Sequence, residues 1–316
     1  NFEQTSGANT WSGMTAYFTA PSRSNETFAS TSALGLQSGY NSLTNPTLLP
    51  ASGSLLLSGA SFSNSRLSTD PFWTPTTFRG AFGTQDWTAG WANFNPNGTN
   101  YSVPTVVQIT ADITTNTTWT KDNIYVLNGY RYIKDGATLT IEPGTIIKGD
   151  KASKATLIVS KTGKIFANGT ATEPIVFTSN QPLGQRTYGD WGGIVMLGNA
   201  TVNIAGGSGL IEGGLLGADA TYGGTNDDDS SGVMRYVRIE FPGIAYQPNN
   251  EINGLTMGGV GRKTVMENIQ VSYSGDDCFE WFGGTVNGRN LIAIRGWDDD
   301  FDVDFGFRGK VQFGLV

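Results

Sequence analysis

Gly275-Asp-Asp-Cys-Phe-Glu-Trp-Phe-Gly-Gly284 and Asp298-Asp-Asp-Phe-Asp-Val-Asp-Phe-Gly306 lie one behind the other in the last part of the chain. Slid onto itself by 22 positions, the chain places Asp276 on Asp298, Asp277 on Asp299, Phe279 on Phe301, Glu280 on Asp302, Gly284 on Gly306 and Leu291 on Phe313. One stage earlier, Ile269 and Val271 fall on Leu291 and Ala293. A repeat of this size is one coil of a parallel β-helix, in which each coil is a strand-and-turn unit stacked on its neighbour. Equivalent positions on successive coils stack ~4.8 Å apart, and alternate residues face opposite ways. Phe279 and Phe301 are then inward neighbours, and Glu280 is set beside Asp302.

Working back from this stretch, short β-rich runs follow one another from about residue 102, each closed by a Gly, Asn or Asp turn. They include Ile124–Leu127, Ala137–Ile141, Thr156–Val159, Lys164–Ala167, Ile175–Thr178, Ile194–Leu197, Met234–Phe241, Met266–Tyr273, Leu291–Arg295 and Lys310–Phe313. No long helical stripe of apolar residues interrupts them. Residues 1–50 read as loop, rich in Ser, Thr and Asn, with a short strand expected at Met14–Phe18. An aromatic cluster follows (Phe72, Trp73, Phe78, Phe82, Trp87, Trp91, Phe94), and Asn95–Asn100 reads as a linker or turn.

Composition narrows the chemistry. The 316 residues include 43 Gly, 15% charged and 38% hydrophobic residues, one Cys and no His. Histidine acid–base catalysis and histidine metal sites are excluded, as are an internal disulfide and a cysteine zinc cluster. No apolar run approaches the ~20 residues that span a bilayer as a helix. Net charge is −7, and the acidity belongs to the last third: residues 211–316 hold 16 Asp/Glu against 8 Lys/Arg. Nucleic acid and anionic lipid are poor partners for such a surface, and cations are favoured ones.

Asp135-Gly-Ala-Thr-Leu-Thr-Ile-Glu-Pro-Gly-Thr145 resembles the opening coil of secreted parallel β-helix proteins of Bacteroidota, often cargo of the type 9 secretion route. Gly163–Thr170, Pro174–Ser179, Gly189–Ile194, Tyr236–Phe241, Ser272–Gly284 and the Asp298–Asp304 cluster match further motifs of that family in its order. The resemblance implies an all-β fold, a right-handed parallel β-helix over 102–316, with a β- and loop-rich segment before it. Ser52–Ala60, Phe78–Gly83 and Trp87–Trp91 resemble instead the segment that closes the same family's helix after its last coil. Residues 1–101 are therefore expected to be the closing segment of a preceding unit, joined to the first and middle coils of the next, as in a tandem repeat. The resemblance also implies an extracellular, cell-surface location and contact with secretion or anchoring machinery.

The acidic runs are the candidate site. Strand alternation puts Asp298, Asp300, Asp302 and Asp304 on one face and Phe301, Val303 and Phe305 on the other. The 22-residue shift sets these acids beside those of the preceding coil. Carboxylates so close cannot all stay ionised unpaired. Arg295 and Arg308 could neutralise part of the charge, leaving a solvated acidic face. A Ca²⁺ ion, which takes six to eight oxygens, would do so more fully, using ligands among Asp276, Asp277, Glu280, Asp298, Asp299, Asp300 and Asp302. Asn226–Gly232 is a second acidic run; it lacks the spacing of a calcium loop and reads as a solvated turn.

No catalytic residue is assigned. Gly275-Asp-Asp-Cys278 resembles the paired-aspartate motif of polygalacturonases, another right-handed β-helix family that hydrolyses by paired acids. The partner His motif is missing, as is the Arg-Ile-Lys run. The Trp73, Trp87, Trp91 and Phe94 cluster reads as core rather than as a sugar platform. Cys278 reads as a buried small apolar residue. Sequons at Asn25, Asn97, Asn100, Asn116, Asn168 and Asn199 are expected by chance in so Asn- and Thr-rich a chain. The expected function is a structural or adhesive surface rod, stabilised by calcium and contacting polysaccharide or other copies of itself. The alternative is a β-helix polysaccharide-degrading enzyme, hydrolase-like or lyase-like.

Overall fold

The structure is a computed structural model that describes residues 14–21, 27–102, 105–247 and 250–316; the Asn25 sequon lies outside them. The chain winds into a parallel β-helix. Two large sheets, of 11 and 6 strands, are parallel throughout. The longer sheet has two branches that merge in the strand Gly232–Glu240. Its first half pairs with Lys164–Asn168, and its second with Ile175–Ser179. Early coils thus use three short strands. Later coils fuse the first two into one bent strand, as in Val265–Ser272 and Asn287–Ile294.

The bends recur in register. Tyr236, Asn268, Asn290 and Phe313 have left-handed φ of 49°, 54°, 56° and 63°, and Phe241, Tyr273 and Arg295 have 61°, 57° and 58°. A side chain in this region costs about 1–2 kcal/mol. Here they recur at equivalent positions of successive coils. Where no Cβ can be tolerated the sequence supplies Gly: a Cβ on Gly232 (φ +117°) would stand 1.9 Å from the Ile165 carbonyl oxygen.

The pairing Phe279↔Phe301, Glu280↔Asp302 and Ile269↔Leu291 keeps the 22-residue period. One expected pair shifts. Leu291 lies opposite Gly314 rather than Phe313, because the turn between Asp304 and Val311 carries one more residue than its predecessor. Met14–Thr19 is a short α-helix, not a strand; Met and Ala favour helix, and no strand pairs with it.

Inside the coils, apolar side chains stack in columns. Leu157, Ile194, Leu255, Phe279 and Phe301 form one, and Val159, Met196, Met257 and Trp281 another. Full burial of each such side chain stabilises by roughly 1.5–3 kcal/mol. The outward face of the 6-stranded sheet is covered by an excursion of the chain around residues 198–222. Val202, Ile211, Leu215, Ala220 and Tyr222 pack there on Ile158, Val195, Leu197 and Phe282.

The segment before the coils runs back along the flank of the longer sheet. Gln312 exchanges two hydrogen bonds with the backbone of Thr74, at 2.9 and 2.8 Å, and Gln270 does the same with Asn93, at 2.8 and 2.7 Å. Each glutamine thereby acts as a rung of backbone. Tyr101 donates to the buried Glu240 at 2.7 Å, and Arg238 donates to the Trp91 carbonyl at 3.0 Å. Trp91 is fully buried, with Trp87 stacked on it and Tyr236 edge-on. Of the aromatic cluster only Phe82 and Trp91 are buried; the others are half-buried along the flank, where Phe78 stacks on Phe313 of the last strand at 6.2 Å.

Candidate functional site

The acidic residues gather where the covered face of the 6-stranded sheet runs out of apolar neighbours. Outward positions in register read Ile158, Val195, Thr256, Glu280, Asp302 along the stack. The first two lie under the excursion; the last two are acids. The turn before each strand adds more acids. Oxygen atoms of Asp276, Asp277 and Asp298 lie within 4.8 Å of one another, and so do those of Asp277, Glu280 and Asp302. Asp277 belongs to both groups, and its Oδ1 accepts from the Asp299 backbone N–H at 2.8 Å.

Five of the seven acids expected at a metal site are therefore brought together. Asp299 and Asp300 contribute to neither group. The strand spans only Phe301–Asp304, so strict alternation begins there, and Asp298–Asp300 sit in the bend that precedes it. The reading that placed Asp298 and Asp300 on one strand face is corrected accordingly. Two arginines are elsewhere too. Arg308 pairs with Asp227 at 3.0 Å, and Arg295 lies over the Tyr273 ring and donates to its hydroxyl. Among the described residues, no Lys or Arg pairs with Asp276, Asp277, Glu280, Asp298 or Asp302. The Asn226–Gly232 run is a turn: Asp227 and Asp228 bind Arg262, and Asp229 accepts from the Asn199 N–H at 2.8 Å.

Three further residues complete the cluster. Glu212, from the excursion, meets Glu280 carboxyl to carboxyl. Asn253 Nδ2 donates to Glu280 and, at 3.4 Å, to Glu212 Oε1. Asn253 Oδ1 and Thr256 Oγ1 are buried and have no hydrogen-bond partner among the described residues. A single Glu among glycines gave no signal in the sequence, because its partner lies 68 positions away.

Crowding shows in the acid strengths. Burial, then the Asp277 and other carboxylates, pushes Asp276 up to about 7. Burial also lifts Asp277, to about 6, against the hydrogen bond from Asp299. Burial raises both Glu212 and Glu280, and the Glu212 carboxylate raises Glu280 further, so the pair holds a proton at neutral pH. Cys278, fully buried behind them, is pushed up to about 12 by burial and is not a nucleophile. The donor set is all oxygen: carboxylates, an amide and a hydroxyl. It fits a hard cation such as Ca²⁺ and not a soft metal.

No curated protein and no solved structure matches the chain. Residues 111–316 match the sequence profile of the pectate-lyase-like β-helix domain, which spans the same coils as the sheets described above. The chain belongs to the pectate-lyase-like β-helix family.

Proposed function

We propose that this chain is a structural, adhesive β-helix displayed outside a bacterial cell, in contact with polysaccharide and stabilised by Ca²⁺ at its acidic column. The observation that carries the cation is the pair of overlapping acid triads around Asp277 with no basic partner among the described residues. Asp276, Asp277, Glu280, Asp298 and Asp302 would hold the ion, and the unpartnered Asn253 and Thr256 oxygens lie beside them. The ion would let charges that now repel stack in register. The stiffness of stacked coils suits a rod with a large display surface. The secreted, type 9 setting rests on the motifs that resemble proteins of Bacteroidota, and the polysaccharide contact on the family's pectate-lyase-like fold. Calorimetric titration with Ca²⁺ should give saturable binding and a raised melting temperature; a flat titration with no thermal shift refutes the cation.

A second reading, a polysaccharide-degrading enzyme, has one observation in its favour. Asp276 is poised to be a proton donor near neutral pH beside the carboxylate of Asp298. Incubation with a panel of pectins and other glycans decides it: reducing ends or unsaturated products that disappear in Asp276→Asn establish the enzyme.

A further inference from the structure

The corner where the coils turn into the acidic column carries an aromatic stack that the cation does not explain. Phe241 and Tyr273 occupy the same bend on successive coils, ring centroids 5.2 Å apart. Tyr188 packs on Tyr273 at 5.3 Å and on Trp297 at 5.4 Å. Phe241 is fully buried, whereas Trp297 is 72% exposed. The Trp297 backbone N–H donates to the Ser274 carbonyl at 3.1 Å, and the Tyr188 ring backs the indole at 31°. A solvent-facing indole backed by a second ring presents a flat apolar plate on which a partner can stack.

The groups around the indole say what would cover it. Asp298 follows it in the chain, and Asp276 lies with Asp298 in one acid group. These are acceptors placed at the rim of an apolar plate. A pyranose has the complementary form: a face of C–H groups to lie on the ring and equatorial hydroxyls to donate at the edge. The charge selects among sugars. Glu251, Asp276, Asp277, Asp298 and Asp299 surround this corner, and a uronate carboxylate would be repelled there. The coil spacing, ~4.8 Å, is close to the length one hexose adds to an extended chain, so such a chain can run along successive coils.

We propose that Trp297, backed by Tyr188 and flanked by Asp298 and Asp276, is a binding subsite for a neutral hexose-containing polysaccharide. The inference rests on the polysaccharide contact in the function proposed above, and not on the cation. Neutral hexasaccharides of glucose, mannose and galactose, with an oligogalacturonate beside them, are titrated calorimetrically into the full chain, in calcium and again in EDTA. At least one neutral hexasaccharide should bind in one or both buffers. Trp297→Ala should weaken it about tenfold or more, with an unchanged melting temperature because the side chain is exposed. Three results overturn the subsite: no neutral sugar binds, the oligogalacturonate binds more tightly, or Trp297→Ala binds as the parent does. The last, with sugar still bound, leaves the polysaccharide contact standing and removes only this location. Loss of self-association in Trp297→Ala, measured by sedimentation with no sugar bound by the parent, assigns the plate to a second copy instead.

Discussion

At the scale of the residue, Asp277 is the most constrained group in the acidic column. It is shared by both triads, is almost buried, and is lifted to about 6 by that burial. An amide in its place keeps an acceptor for the Asp299 N–H and removes a charge. Asp277→Asn should therefore raise the melting temperature of the metal-free protein at neutral pH by about 2–4 °C, while reducing the gain produced by calcium; differential scanning calorimetry with and without EDTA reads both. Gly232 is constrained by space rather than charge. Its Cβ would meet the Ile165 carbonyl inside the point where two strand branches merge. Gly232→Ala should cost about 3 kcal/mol or more in urea unfolding.

At the scale of the element, the described strands are only two to nine residues long and hold their place by their neighbours. Phe279 is fully buried between Leu255 and Phe301, and stacks on the Phe301 ring at 5.3 Å. Phe279→Ala should cost about 3–5 kcal/mol, read as a shift in the urea midpoint. The flank segment depends on fewer contacts. Gln270 and Gln312 tie it through paired hydrogen bonds to backbone. A Gln270→Ala, Gln312→Ala double variant leaves those backbone groups without partners. Faster amide exchange in residues 72–94, with protection of the coils unchanged, is the expected outcome by mass spectrometry.

For the whole molecule, stability should depend on pH in a direction set by the acidic column. Asp276 and Asp277 rise from an ordinary value of 3.8 to about 7 and about 6. Each binds its proton more tightly in the folded state than in the unfolded one. Their stabilising contribution is thus complete below about pH 4 and is lost as pH rises through 6 and 7. Asp227 works the other way. The Thr201 N–H, then its arginine partners, hold it below the usual range, so its contribution is lost as pH falls. The metal-free protein should melt highest in mild acid and lose roughly 3–6 °C between about pH 5 and pH 7.5. Calcium should restore that loss at the higher pH and add little at the lower one.

The sequence by itself determined the coil. A 22-residue recurrence of Asp, Phe and Gly has one economical explanation, since only stacking brings residues at that spacing into contact, and the Phe279–Phe301 pair lies where the recurrence puts it. It also brought Asp276 beside Asp298, because register between adjacent coils is a local property. What the tertiary structure alone decided is everything set by residues outside the repeat. Glu212 and Asn253 reach Glu280 from an excursion and a loop of no fixed length, and Arg308 turns to Asp227. Trp297 joins Tyr188 across more than a hundred residues. Periodicity encodes which positions stack, but not where an irregular segment closes against them. That closure is chosen by packing and charge over the assembled surface, and no spacing in the chain records it.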